Sequence, residues 1–121
     1  MYKFICFLLL VASSFYATML SASTFALPTE TVIIKTSAIC NMCKYAIEKA
    51  LSYQKGVESS NLDVATKSIT VVFNSTKTNI DKIKKAIIKS GYDADELSKN
   101  ARAYKKLPDC CKDASKCKEA Q

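Results

Sequence analysis

The sequence predicts an α+β fold, a sandwich in which a four-stranded antiparallel sheet carries two helices on one face. Two observations predict it. Period-two and helical apolar patterns alternate in the order β-α-β-β-α-β between residues 27 and 97. The two middle strands, Val57 to Val64 and Ile69 to Phe73, are joined only by the polar turn Ala65-Thr66-Lys67-Ser68, so they read as a hairpin lying between the helices.

Each element has a local reason. Thr31-Val32-Ile33-Ile34-Lys35-Thr36 is β-branched and apolar, a good first strand. From Asn41 to about Lys55 the pattern is helical, with Cys43, Ala46, Ile47, Ala50 and Leu51 on one face. Gly56 is placed to stop that helix. In the hairpin, Leu62 and Val64 alternate with polar neighbours, and Ile69, Val71 and Phe73 share a face. Thr78 followed by Asp81 is a capping signature for the second helix. Ile80, Ile83, Ile87 and Ile88 give its apolar face, and Lys82, Lys84, Lys85 and Lys89 a solvated one. Gly91 ends it, and Tyr92 to Leu97 is the stretch left for a fourth strand. This order is the ferredoxin-like, split βαβ arrangement.

The flanks differ from this unit. Residues 1–26 read as a secretory signal peptide: Lys3, then the apolar run Phe4 to Ala12, then Thr24-Phe25-Ala26. That run is short for a membrane span, so no stable insertion is expected after cleavage. Cys6, inside it, receives no role. Domain boundaries are expected at 27–97 for the folded unit and 98–121 for a mobile or partly helical tail carrying Cys110, Cys111 and Cys117. Asn74-Ser75-Thr76 matches the glycosylation triplet but is read as an ordinary polar loop.

The chain carries 18 Lys+Arg against 11 Asp+Glu, a net +7. Removing Lys3 with the leader lowers this to 17 against 11, or +6. The lysines are scattered and Arg102 is the single arginine, so no aromatic-basic cluster for nucleic acid emerges. The basic surface instead suits an acidic protein partner. With no His in the chain, histidine-assisted nucleophilic catalysis and His-containing zinc sites are excluded, and no acid/base pair suggests an enzyme.

The chemistry centres on Cys40-Asn41-Met42-Cys43. Thiolates are soft ligands, and a cysteine at a helix start gains from unpaired N–H groups and the positive end of the dipole. Two sulfurs suit Cu(I) first and Hg(II) second. Zn(II) ranks behind them because it usually takes four ligands. In an exported protein the pair can also oxidise to a disulfide, a resting state consistent with that compartment. A second class, thiol–disulfide oxidoreductase, remains open, although the intervening Asn41-Met42 is not the Gly-Pro pair of thioredoxin-type motifs. Lys44 could lower the thiol pKa. Met42 is read as facing solvent and is left out of the site. For Cys110, Cys111 and Cys117 two readings stand: accessory soft-metal ligands, or a disulfide from Cys110 or Cys111 to Cys117, the latter slightly favoured.

Ile39-Cys40-Asn41-Met42-Cys43, Ile47-Glu48-Lys49-Ala50-Leu51, Gly56-Val57-Glu58-Ser59 and Gly91-Tyr92-Asp93-Ala94 together resemble the heavy-metal-associated domain, in order and in spacing. The resemblance spans about residues 30–96. It implies that Cys40 and Cys43 bind the ion and that Tyr92, at the aromatic position of the nearby loop, shields or tunes it. It further implies sequestration, or hand-over by thiolate exchange to a metal-transporting ATPase or another metal-handling protein. A periplasmic setting in a Gram-negative bacterium follows from the exported members, with the chain a monomer or weak dimer. The sequence departs from the family where a Met and a Gly usually precede the first Cys. Ala38 and Ser37 stand there, a change expected to affect loop rigidity more than binding. The usual hairpin Gly is also replaced, around Lys67 and Ser68.

Overall fold

The computed structural model describes residues 26–117. The signal segment expected over 1–26 lies outside the described residues except for Ala26. Among the described residues no helix is long and apolar enough to cross a membrane.

The elements run β1 (Thr29–Lys35), α1 (Asn41–Ser52), β2 (Val57–Asp63), β3 (Ser68–Asn74), α2 (Ile80–Lys89) and α3 (Ala101–Lys105), followed by 3₁₀ turns at Asp109–Cys111 and Ala114–Lys116. The sheet order is β1-β3-β2, all antiparallel. Register places Ile34, Ile69 and Leu62 in one row, and all three are fully buried. Val71 and Phe73 continue that face, while Ile33 on the other face is exposed. Ile47 and Leu51 of α1 and Ile83 and Ile87 of α2 complete the core. Burying each such side chain stabilises the fold by about 1.5–3 kcal/mol. The Glu48 carboxylate ties α1 to the sheet by accepting the Leu62 N–H at 2.7 Å.

The α+β class holds, with one strand fewer than expected. Tyr92 to Leu97 does not extend into a fourth strand. Ala94 alone bridges Thr36, on the β1 edge where that strand would lie, and then pairs back to Leu97. The reason is local: Asp95 adopts φ 50°, which turns the chain away from the edge. The Asp95 carboxylate accepts the Lys35 N–H at 2.8 Å, and its own N–H donates to the Lys35 carbonyl at 2.9 Å.

Other boundaries shift for equally local reasons. The cap of α2 is Asn79, whose Oδ1 accepts the Lys82 N–H at 3.0 Å, while Thr78 is buried. Helix α1 ends at Ser52, and Gly56 (φ 92°) instead sits in the turn just before β2, where an added Cβ would lie 2.9 Å from Lys77 Cβ. The missing hairpin glycine is met by Lys67, which takes φ 56° despite its side chain. Asn74 of the glycosylation triplet is buried and accepts the Thr76 N–H, so it builds a turn.

The tail is partly helical, as expected, and packs on the domain. Gly91 (φ 100°) closes α2, with its N–H donating to Ile88 O and that of Tyr92 to Ile87 O, the two bonds of a Schellman stop. Its missing side chain also seats the tail: a Cβ there would meet Leu107 Cδ1 at 3.1 Å and the Ala103 backbone at 3.2 Å. Asn100 donates its N–H to Ile88 O and caps α3 through its side chain. Lys99 pairs with Asp93 at 3.3 Å and stands 4.7 Å over the Tyr104 ring.

Candidate metal centre

The loop from β1 into α1 is pinned at both shoulders. The Thr36 hydroxyl donates to Lys67 O and accepts the Ala38 N–H, and Ala38 is fully buried. Ser37 Oγ accepts the Asp93 N–H at 3.0 Å, which ties the cysteine loop to the Tyr92 loop. The residues that replace the family's usual Gly-Met lead-in, Ser37 and Ala38, thus supply contacts of their own. Cys40 occupies the cap position of α1 with extended backbone, and Cys43 lies in its first turn. Their sulfurs are 3.1 Å apart, with Cys40 half-buried and Cys43 fully buried.

The tail delivers three further thiols to the same place. In a 3₁₀ turn successive side chains diverge by about 120°, so adjacent cysteines can serve different surroundings. Cys111 turns into the core and is 5% exposed, whereas Cys110 lies over the loop with Sγ 3.5 Å from Met42 Sδ. The Sγ atoms of Cys40, Cys110 and Cys111 all lie within 4.8 Å of one another. The Cys117 thiol donates to Cys110 O at 2.6 Å, and the Cys40 thiol approaches the same carbonyl at 3.8 Å.

All five described cysteines are free. The Cys40 and Cys43 sulfurs stand unbonded at 3.1 Å, and Cys117, placed between the Cys110 carbonyl and the Cys40 sulfur, is not bonded to Cys110 or Cys111. Met42, left out of the site on sequence grounds, is exposed yet in contact with Cys110. Only its position inside the CxxC could have signalled this. Lys44 reaches Asn61 Oδ1 at 3.1 Å and Glu48 at 3.8 Å, so its ammonium is committed to β2 rather than to the sulfurs.

The electrostatics separate the thiols. Burial opposes ionisation of Cys40, but hydrogen bonds from the Cys43 side chain and N–H, from Cys117 and from the Met42 N–H outweigh it and hold this thiol below its ordinary range. Burial, with Cys43 and Cys40 nearby, pushes Cys111 far up. Burial beside Cys40 raises Cys117 to about 11. Tyr92 is 1% exposed, and its hydroxyl makes no full hydrogen bond among the described residues. It faces the Cys111 and Cys43 sulfurs, and burial first, then these neighbours, keeps the phenol protonated. The arrangement therefore offers one thiol, Cys40, tilted toward its thiolate form, and two, Cys111 and Cys117, that burial holds protonated until a cation replaces the proton.

Known proteins share this scaffold. The heavy-metal-associated domain model matches residues 33–93 and stops short of the tail cysteines. The copper chaperone CopZ of Staphylococcus epidermidis is 34% identical over 62 residues, which cover 50% of this chain and 91% of that one. The periplasmic component of the mercuric transport protein of Serratia marcescens is 32% identical over 65 residues, covering 53% and 71%. A copper-exporting P-type ATPase of Staphylococcus saprophyticus is 36% identical over 55 residues, and the chain spans only 7% of its length. Among solved structures, a CopZ metallochaperone superposes with TM-score 0.52 at 29% identity over 54% of this chain and 98% of that one. Oxidized MerP from Ralstonia metallidurans CH34 gives 0.52 at 30% identity over 55% and 93%. With the family model matching half of the chain and the relatives aligning over the same stretch, the chain belongs to the heavy-metal-associated domain family.

Proposed function

We propose that this protein is an exported carrier of a soft metal ion, Cu(I) first and Hg(II) second, held by the thiolates of Cys40 and Cys43. The observation that carries the reading is the pair of sulfurs 3.1 Å apart at the start of α1, one half-exposed and one buried. The half-exposed Cys40 thiolate captures the ion, the Met42 and Cys43 amides favour its charge, and Cys43 completes the grip. Tyr92 closes the buried side, with its hydroxyl beside the Cys111 and Cys43 sulfurs. Copper and mercury are named in the relatives' own descriptions, which supports the ion class.

Hand-over follows from ligand exchange: an incoming cysteine of a partner replaces Cys40, then Cys43. The ATPase relative supports a metal-transporting ATPase as that partner, and the relative described as a periplasmic component supports the compartment. The reaction moves an ion between thiolates and changes no covalent bond of a substrate, so the role is that of a carrier rather than an enzyme.

The test is an anaerobic Cu(I) titration of the reduced full chain against a Cu(I) chelator. Wild type takes the ion from the chelator, and Cys40→Ser/Cys43→Ser does not. Equal competition by both proteins rules out the loop site. The lowered Cys40 thiol also fits dithiol exchange, and insulin reduction at rates typical of oxidoreductases, without metal, would favour that reading instead.

A further inference from the structure

Two cysteines suffice for the carrier just described, yet five thiols converge. Three come from a segment beyond the family match, and that segment is held in place by contacts of its own: Leu107 against Gly91, Asn100 on Ile88, and Lys112 Nζ on Lys105 O at 3.0 Å. We propose that the docked tail turns the loop into a three-thiolate centre, Cys40–Cys110–Cys111, for a single soft ion. This rests on the reading of the loop as a soft-metal site, and adds to it the ligand set, the coordination number and a cap.

The geometry favours these three. Their sulfurs lie within 4.8 Å of one another. Around an ion with metal–sulfur bonds of about 2.3 Å, three coplanar sulfurs stand about 4 Å apart. Small side-chain adjustments therefore close the triangle without moving the backbone. Cys40 comes from the loop, and Cys110 and Cys111 from one turn of the tail. Cys43 lies beneath, 3.1 Å from Cys40, and is the sulfur to which the ion shifts when the tail lifts. The Cys117 thiol on Cys110 O holds that turn from outside.

Binding balances simply. Each of the three thiols that still carries a proton gives it up to solvent as Cu(I) takes its place, and no electron moves. The consequence is retention. A partner cysteine that displaces Cys40 still leaves the ion on the two cap thiolates, so transfer is incomplete while the tail is docked. Release requires the tail to lift, after which Cys40 and Cys43 hold the ion in the two-coordinate form suited to exchange.

The test is X-ray absorption at the copper edge on the reduced full chain with one equivalent of Cu(I). Three sulfurs per copper are expected in wild type, falling to two in Cys110→Ser and in Cys111→Ser, with one equivalent still bound in each. Chelator competition should weaken in both variants by more than the roughly 10–100-fold that loss of an outer-shell partner costs. Because Cys111 is buried, its variant is checked by circular dichroism, and the half-exposed Cys110 gives an independent reading. Two sulfurs in wild type, unchanged by either variant, overturn the three-thiolate centre and leave the loop carrier standing. A copper–copper shell at one equivalent overturns the single-ion form. Undiminished binding by Cys40→Ser/Cys43→Ser removes the loop reading, and the centre with it.

Discussion

The loop at residues 37–43 and the tail at residues 107–117 bring cysteines to one point, but they are held there differently. The loop is fixed by what lies under it: buried Ala38 and Cys43, the Thr36 and Ser37 hydrogen bonds, and the packed face of α1. The tail has one buried anchor, Cys111, and is otherwise fixed by what lies beside it: half-buried Leu107 on Gly91, a helix of five residues and the Lys99–Asp93 pair. Local opening free energy follows buried apolar contact. The loop therefore shares the stability of the whole domain, and the tail has a smaller stability of its own. The carrier proposed above, which must both keep and release an ion, is served by that inequality.

The largest expected effect would break the inequality from the loop side. Ile47→Ala removes a fully buried side chain beneath α1 and should cost about 2–5 kcal/mol in global stability, read from urea unfolding of the reduced protein. A loss under about 1 kcal/mol would mean that the core does not anchor the loop.

A smaller effect sharpens the contrast. Leu107→Ala trims a half-buried contact on Gly91 and should cost about 1 kcal/mol, spent on tail docking rather than on the core. Cys111 should then be alkylated several times faster while the core unfolding midpoint barely moves. A parallel fall in that midpoint would show that tail and core unfold as one unit.

The smallest effect concerns the clasp between them. Burial opposes ionisation of Asp93 and Asp95, but Lys99 at the first, and the Lys35 N–H with Lys84 at the second, hold both carboxyls below the ordinary value near 3.8. A lowered folded value means the unfolded chain binds more protons. The stabilisation is thus complete above about pH 4 and is lost as pH falls through the lowered values. Stability should be flat from pH 5 to 7 with respect to these groups and decline below pH 4. Asp95→Asn, which removes the ion pair with Lys84 at 3.1 Å, should cost about 0.2–1 kcal/mol at pH 7 and shallow the acid limb of the pH profile. An unchanged limb would assign the acid sensitivity elsewhere.

Much of the fold was legible because its signals are local. The alternation in β3, the apolar stripe of α1 and Gly91 as the end of α2 are set by residues a few positions apart, and the structure bears them out. The sulfurs of Cys40 and Cys43 meet for the same reason, since three residues across a helix start bring them together whatever the rest of the chain does. The fourth strand failed because Asp95 spends its hydrogen bonds on Lys35 in a turn, which no alternation in Tyr92 to Leu97 could reveal.

What the sequence could not determine was the company those two sulfurs keep. The contact from Cys110 to Met42 spans 68 residues, and it exists because a bare Gly91 leaves room for Leu107. Adjacency of Cys110 and Cys111 says nothing about which sulfur faces the core, because that is decided by how a 3₁₀ turn lies on its surroundings. Zinc ranks behind copper on a count of two ligands in the sequence, a count that says nothing of the Cys110 and Cys111 sulfurs brought within 4.8 Å of Cys40. Composition and spacing determined which chemical groups this protein owns. Long-range packing, through the space left at one glycine, decided how many of them share a single point.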